Sequence, residues 1–324
     1  MSQAEEKIAA VVVTYNRKDL LGQCLDSLLQ QSHPLDAVFI IDNHSTDGTY
    51  EDLLDRNLIA PAGRSDREPV ETTRPVAMGG TIHYVRMPEN TGGAGGFHEG
   101  MKRAAAAGFD RLWLMDDDLL AAPDALETLL GKRNMLRSRK KVSFLLNSLV
   151  LARDPSNGDA LAFPLQELTA RGYPRRVYHW RLSEVQDQVQ DGLYRWACPF
   201  NGTLVPARAV AEVGLPNKDF FLWGDERDFL WRAAKRFELY TAVDSKVFHP
   251  PCRVAGFDWR QYYGIRNALL INRHFRWPVL RNAKLILASL VKGARHGRSG
   301  LILVLRAIRD GLTGRLGRRE EYHP

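Results

Sequence analysis

The segment WLMDDD carries an apolar run straight into three consecutive carboxylates, Asp116, Asp117 and Asp118. A buried carboxylate without a partner is costly, so this end of the run either reaches water or holds a cation. Strand alternation puts Asp116 and Asp118 on the same side and turns Asp117 away from them. Two hard oxygen ligands facing a phosphate-bearing substrate suit Mg²⁺ or Mn²⁺. The competing reading is a solvated acidic turn ahead of the helix that Pro123 opens.

A second acidic group lies in FFLWGDERDFLWR, residues 220–232. Bulky apolar neighbours bury such carboxylates and raise a pKa toward the range useful to a general base; Asp225, directly after Gly224, is the candidate to face a pocket. The same spacing fits a helix start in which Glu226 and Asp228 pair with Arg227 and Arg232. His249, in VFHPPC, follows another apolar run. Its imidazole either completes a divalent site that has two carboxylates or is structural.

Three further polar clusters follow apolar runs: Thr14-Tyr15-Asn16-Arg17, then DNHSTDG from Asp42, then NTGGAGG from Asn90. Glycines there let the backbone approach a nucleotide or sugar, and the helix they open points N–H groups at an anion. A turn with a helix cap is the alternative. The run is not a dinucleotide fingerprint, because a match starting at Gly93 needs glycine where His98 stands, and no Gly-Lys-Ser/Thr follows for a phosphate-binding loop.

A parallel sheet would hold these clusters together. AAVVVTY (9–15), AVFIID (37–42), TIHYVR (81–86) and RLWLMD (111–116) read as strands, separated by helical-period segments at 19–31 and at about 94–107. Their continuous apolar character predicts a sheet covered on both faces, with the ligand crevice beyond the carboxyl ends of its strands, where all four clusters fall. The architecture is α/β and Rossmann-like. Residues 58–80 read as a surface insertion, and 142–205 as an accessory sheet on the acceptor side. Helical periodicity returns at 226–236 and 260–275, where YYGIRN offers aromatic and cationic groups suited to a diphosphate or to packing.

A chain of 324 residues has room for one large domain with an appendage or for two modest domains. Cys24, Cys198 and Cys252 are odd in number and far apart, which fits neither a disulfide framework nor a CxxC metal site. MSQAEEKIAAVVV has acidic residues where a signal peptide is basic, so it reads as the first strand of a cytosolic protein. Of the net charge of +7, residues 276–324 hold 11 Lys and Arg against 3 acidic residues, a net of +8 that leaves −1 upstream. The tail alternates these charges with aliphatics and has few aromatics, which argues against a nucleic-acid partner. Its apolar runs are shorter than the ~20 residues of a spanning helix. A basic amphipathic helix pair on an anionic membrane surface is one reading, and helices packed on the domain with a solvated basic face the other.

In this order, VVVTYNR, IIDNHSTDGT, NTGGAGGF, WLMDDD, FNGTLV, FFLWGDERDF, the histidine of FHPP and YYGIRN resemble the family 2 inverting glycosyltransferases of the GT-A fold, from Ala9 to about Arg273. NTGGAGGFHEGM, LAFPL, FNGTLV with WGDE, HPPC and YGIRN are similar to the bacterial galactofuranosyltransferases that initiate galactan on polyprenyl-diphosphate-linked acceptors; rhamnosyltransferases share much of the pattern.

The resemblance implies a GT-A domain over 1–275, its nucleotide-binding half about 1–120 and its acceptor half about 121–275, followed by the basic helical tail 276–324. It implies that Thr14, Asn16, Arg17 and Asp42 contact the nucleoside, that Asn90, Gly92 and Gly93 line the ribose and diphosphate, and that Asn201 and Gly202 sit near the donor sugar. Asp117 is grouped with these donor-site residues. Asp116, Asp118 and His249 would be the metal ligands for Mn²⁺ or Mg²⁺, Asp225 the catalytic base, and Trp223, Glu226 and Asp228 the shapers of the acceptor site. The implied activity moves galactofuranose from UDP-galactofuranose to a polyprenyl-diphosphate-linked or polysaccharide acceptor in cell-surface glycan synthesis, at the cytoplasmic face of the membrane. A rhamnosyltransferase using dTDP-rhamnose is the alternative donor reading; a nucleotidyltransferase and a membrane adaptor with a degenerate pocket are the more distant ones.

Overall fold

The computed structural model describes residues 6–76, 80–139, 143–154, 156, 158–168, 174–196, 200–250 and 256–322. The first half alternates strand and helix: β1 (Ile8–Thr14), α1 (Lys18–Leu29), β2 (Ala37–Asp42), α2 (Thr49–Asp55), β3 (Val70–Pro75), β4 (Thr81–Arg86), α3 (Gly92–Ala106) and β5 (Arg111–Asp116). The two-residue β6 (Leu120–Ala121) and α4 (Ala125–Arg139) lead to β7 (Phe144–Ala152), the hairpin strands β8 (Ala160–Leu168) and β9 (Pro174–Arg181), and the short β10 (Leu193–Arg195) and β11 (Thr203–Pro206). Helices α5 (Ala207–Val213) and α6 (Asp225–Ala233), the long β12 (Glu238–His249), and α7 (Arg260–Ile271), α8 (Pro278–Arg295) and α9 (Gly297–Thr313) complete the chain.

The strands form a mixed sheet in the order β10-β12-β7-β11-β5-β1-β2-β4-β3. β1 is buried along its whole length and runs parallel to β2 and β5, and β2 runs parallel to β4. Register aligns the carboxyl ends: Thr14 faces Asp42, Val13 faces Asp116 and Asp42 faces Arg86. Four polar clusters therefore meet along one edge, as the crevice argument requires. One apolar cluster lies on each face of this sheet, with Val11, Phe39 and Leu114 on one side and Val12, Ile40 and Trp113 on the other.

The 58–80 segment is more than a surface insertion. Val70–Pro75 forms edge strand β3, antiparallel to β4, with half-buried and exposed positions in alternation. Glu71 on it accepts from Arg103 and lies 2.8 Å from His83 Nδ1. The 142–205 region divides: β7, β10 and β11 join the central sheet, against the expectation, and only the hairpin β8–β9 branches from it at β7. Cys24 is free and buried, while Cys198 and Cys252 lie outside the described residues.

Most glycines of α3 serve packing. A Cβ on Gly96 would sit 2.4 Å from Val13 Cγ1, and one on Gly100 the same distance from Val11 Cγ1. Alanine raises helix propensity by roughly 1 kcal/mol over glycine. Here the stiff β-branched valines cannot yield, and overpacking of this kind costs about 1–3 kcal/mol. Gly96→Ala should therefore lower the denaturation midpoint; an unchanged or raised midpoint would show that α3 shifts freely on the sheet.

The tail folds back on α7. Leu303, Val304 and Ala307 of α9 are buried with Tyr262 and Tyr263, and buried Asp310 accepts from Tyr262 Oη at 2.6 Å. The outer side keeps Trp277, Val279, Leu280, Leu287, Val291, Ile302, Leu305 and Leu312 exposed. One face of the tail thus packs on the domain, and the other is apolar, basic and open. Among the described residues, no helix is long and apolar enough to cross a membrane.

Candidate active site

The three carboxylates separate as strand alternation predicts. Asp117 turns to β1, accepting from Thr14 Oγ1 at 2.8 Å and Arg17 Nη1 at 3.2 Å. Asp116 and Asp118 join His249 from the end of β12, with ligand atoms of all three within 4.8 Å of one another. Asn201 supports Asp116 from both sides, donating from Nδ2 to Oδ2 at 3.2 Å and accepting from the Asp116 N–H at 3.2 Å.

The donor set fits a divalent cation. His249 Nδ1 lies 2.6 Å from the Pro250 carbonyl, which can only accept, so Nδ1 carries the proton. That leaves Nε2 aimed at Asp118 Oδ1, 3.1 Å away, a buried oxygen that accepts no hydrogen bond among the described residues. This contact is satisfied either by a proton on Nε2, which makes it an ion pair, or by a cation held between the two atoms. The hydrogen bond from the far ring nitrogen to a carbonyl is the support that metal-ligating histidines use.

Electrostatics point the same way. Burial, then the charges of Asp118 and Asp117, push the Asp116 carboxyl up. Burial also raises Asp117, to about 6, against the pull of Arg17 and Thr14. For Asp118 burial would do likewise, but His249 and Arg17 outweigh it and hold the group below its usual range. Among the described residues a single arginine, half exposed, pairs with both Asp117 and Asp118. The cluster is short of positive charge, and a divalent ion would supply it.

Beside it opens a cleft of ≈ 240 Å³. Thr14, Arg17, Asn90, Gly92, Gly93, Asp116 and Asp117 line it. Gly93 has open space where a Cβ would project, whereas Gly92, at φ +69°, admits no side chain because Phe221 O would lie 1.9 Å from its Cβ. Four predicted residues stand behind the lining. Asp42 is fully buried, accepting from Ser45 N at 2.8 Å and Tyr84 Oη at 2.5 Å. Asn16, at φ 52°, fixes the neighbouring loop by accepting from Thr46 N at 2.7 Å. Asn201 holds Asp116, and Gly202 packs on Ser148.

Sequence reasoning passed over Asn43, Trp259 and Arg260, which also line the cleft. Asn43 donates to Gly92 O at 2.7 Å and accepts from Thr91 N at 3.0 Å, so it shapes the glycine turn. It stood within a quoted cluster, but nothing in its spacing singled it out.

Asp225 is the first residue of α6 and is 4 % exposed. Burial, then the neighbouring Glu226, push its carboxyl well above the ordinary range, and the charge of Asp116 adds to this. The two carboxylates are thus close enough to feel each other, although Asp225 lies behind the cleft lining. Glu226 accepts from Gly224 N at 3.1 Å. Trp223 is 39 % exposed and stacks its edge over Gly264. Asp228 points elsewhere: it is buried against Arg232 Nε at 2.8 Å, His274 Nε2 at 2.7 Å and Arg273 Nη2 at 3.3 Å, and His274 and Arg232 outweigh burial to hold its carboxyl below the ordinary range.

The loop ahead of Asp225 is strained. Phe221 and Trp223 both have φ 62°, a conformation costing roughly 1–3 kcal/mol each for such side chains. Asn267 of α7 holds it, donating to the carbonyls of Phe220 at 3.1 Å, Leu222 at 3.0 Å and Trp223 at 2.7 Å. YYGIRN therefore packs beneath the site and positions it.

A model of the family described as glycosyl transferase family 2 matches residues 9–134. Galactofuranosyltransferase GlfT1 of Mycobacterium tuberculosis is 34% identical over 249 residues, covering 76% of this chain and 70% of that protein. The protein of the same name in Mycolicibacterium smegmatis is 31% identical over 247 residues, 76% of this chain and 71% of its own. Among solved structures, a mannosyltransferase from Pyrobaculum calidifontis in complex with GDP-Man and Mn²⁺ aligns with a TM-score of 0.52 at 14% identity, over 96% of this chain and 88% of that one. At that identity the likeness is one of fold.

Proposed function

The chain belongs to glycosyl transferase family 2, and from that premise we propose that it transfers galactofuranose from a uridine-diphosphate donor to an acceptor carried on polyprenyl diphosphate, with inversion at the anomeric carbon. The observation that carries the reaction type is the meeting of Asp116, Asp118 and His249 beside a cleft that Phe221 and Leu222 also line, on the loop that runs into buried Asp225. The donor and acceptor classes rest on the likeness to the mycobacterial galactofuranosyltransferases.

In this reading Thr14, Arg17, Asn43, Asn90 and Gly93 bind the nucleotide, with Asp42 and Asn16 fixing their loops. Asp225 takes the proton of the acceptor hydroxyl, whose oxygen forms a bond to the anomeric carbon as the bond to the nucleotide diphosphate breaks. A divalent cation held by Asp116, Asp118 and His249 would supply positive charge for that leaving group. Asn201 and Gly202 border the sugar, while Trp223, Glu226 and Asp228 shape the acceptor side, Asp228 from beneath through α6. Orientation in the cleft contributes much of the rate, because both reactants are held for in-line attack.

Calorimetric titration with uridine and thymidine diphosphates, with and without Mn²⁺, tests the donor. Metal-dependent preference for uridine diphosphate is expected. Preference for thymidine diphosphate would replace galactofuranose by rhamnose, and no binding to either in folded, Mn²⁺-supplied protein would overturn the nucleotide-sugar reading.

The open face of α8 and α9 supports a place on an anionic membrane surface: Leu280, Leu287 and Leu305 lie exposed among Arg281, Lys284, Lys292 and Arg306. Burying one leucine side chain is worth about 1.5–3 kcal/mol. Leu280→Glu/Leu287→Glu should therefore weaken binding to phosphatidylglycerol vesicles by at least ~10-fold. Equal sedimentation of variant and wild type would leave these helices a packing role only.

A further inference from the structure

Arg266 is fully buried in α7, yet its guanidinium meets carbonyl-type oxygens and no carboxylate among the described residues. Nε donates to Asn267 Oδ1 at 2.9 Å, and Nη2 donates to Phe220 O at 2.8 Å and Asp219 O at 3.2 Å. Nη1 turns the other way and donates to Gly317 O at 2.7 Å. The Tyr263 and Tyr262 rings lie 4.9 and 5.4 Å from the guanidinium carbon. A planar fork with fixed donor directions can hold carbonyls on two separate segments at once; an ammonium on a flexible stem cannot.

The segment so held is anchored along its length. Gly317 N donates to Asp219 O at 2.7 Å, Arg319 N to Tyr263 Oη at 3.0 Å, and Tyr263 Oη to Tyr322 O at 2.8 Å. Arg318 Nη1 reaches the Asn90 carbonyl at 3.4 Å, at the rim of the cleft. The other segment is the strained loop whose Phe221 and Leu222 line the cleft and which runs directly into Asp225.

We infer that Arg266 is a positioning residue that ties the C-terminal segment 315–322 to the 219–224 loop and so fixes Asp225 and the cleft wall. Its effect on turnover rests on the transferase reading; the mechanical coupling does not. The C-terminal segment is then part of the active-site support: chain loss there removes the Arg266–Gly317 bond together with the Gly317–Asp219 and Arg318–Asn90 contacts, and Arg266 is the side chain that holds both segments at once.

Hydrogen exchange, read by mass spectrometry on wild type, Arg266→Lys and a chain ending at Leu316, tests the coupling without any activity. Exchange at 220–224 should quicken ~10-fold or more in both variants, with the central strands unchanged. Turnover should fall ~10-fold or more in Arg266→Lys while uridine-diphosphate affinity in Mn²⁺ stays within ~3-fold, the split expected of lost positioning. Unchanged loop exchange in either variant, or a uniform rise across the molecule with turnover and affinity falling together, would overturn the inference. Should Arg266→Lys fail to fold, Arg266→Gln, whose amide can reach one of the two segments but not both, takes its place. Wild-type protein that transfers no sugar while the exchange result holds would remove the transferase reading and leave the coupling standing.

Discussion

Replacing Asp225 by asparagine should lower kcat by ~10²- to 10⁴-fold, the usual worth of a general base. Nucleotide affinity should stay within ~2-fold, because Asp225 does not line the cleft where the diphosphate is proposed to bind and the change is isosteric. The same variant makes a stability prediction of definite sign. Burial, with Glu226 beside it, raises the folded-state pKa of Asp225, so the native state resists ionisation of this group. The penalty is absent below the ordinary carboxylate pKa and grows as pH rises from there toward the raised value. Asparagine escapes it, so Asp225→Asn should melt at or above the wild-type temperature at neutral pH while losing turnover. The acid limb of kcat should lie above the ordinary carboxylate range and belongs to the Asp225–Glu226 pair. Glu226→Gln removes one of the charges raising it and should move the limb to lower pH. Retained turnover in Asp225→Asn would take the base role from this residue.

Much of this site can be read from residue types. Continuous apolar strands ending in polar clusters define a parallel sheet and its crevice without reference to contacts, and the register of Thr14, Asp42 and Asp116 bears this out. Alternation along a strand likewise separates Asp117 from the Asp116–Asp118 pair. Less legible were groups whose role depends on distant partners. Asn267 and Arg266 act on carbonyls more than 40 positions away in the chain, and no local pattern marks a side chain that will satisfy another segment's backbone. Asp228 reads like its neighbours, yet the helical turn sends it to Arg273 and His274 rather than to the cleft. The glycine run carries two messages at once: Gly93 leaves room at the cleft, while Gly96 and Gly100 let α3 lie close on β1. Strand β3 was hidden by flanking Pro, Gly and Arg; only the pairing edge offered by β4 gives its weak alternation a partner.

Asp116→Ala/Asp118→Ala should abolish the effect of Mn²⁺ on uridine-diphosphate binding, a loss of at least ~10²-fold in metal-supported affinity, and His249→Ala should cost ~10- to 100-fold. The argument does not depend on turnover. Without a cation, half-buried Asp116 is held among like charges, and its raised pKa means that its ionisation weakens the fold as pH rises above the ordinary carboxylate value. In chelator at neutral pH, Asp116→Asn should therefore melt at or above the wild type. With Mn²⁺ the order should reverse, because an ion that binds only the native state adds ~2.7 kcal/mol at a hundredfold excess over its Kd, and the variant forfeits a ligand. A solvated acidic turn predicts neither the stabilisation by Mn²⁺ nor the crossing of the two melting curves. The base gives an independent reading of the same charge. Asp116 helps to raise Asp225, so neutralising the cluster should lower the pKa of Asp225 and carry the acid limb of kcat to lower pH as Mn²⁺ saturates. An acid limb insensitive to the metal would separate the two sites electrostatically and leave Asp225 to be raised by burial and Glu226 alone.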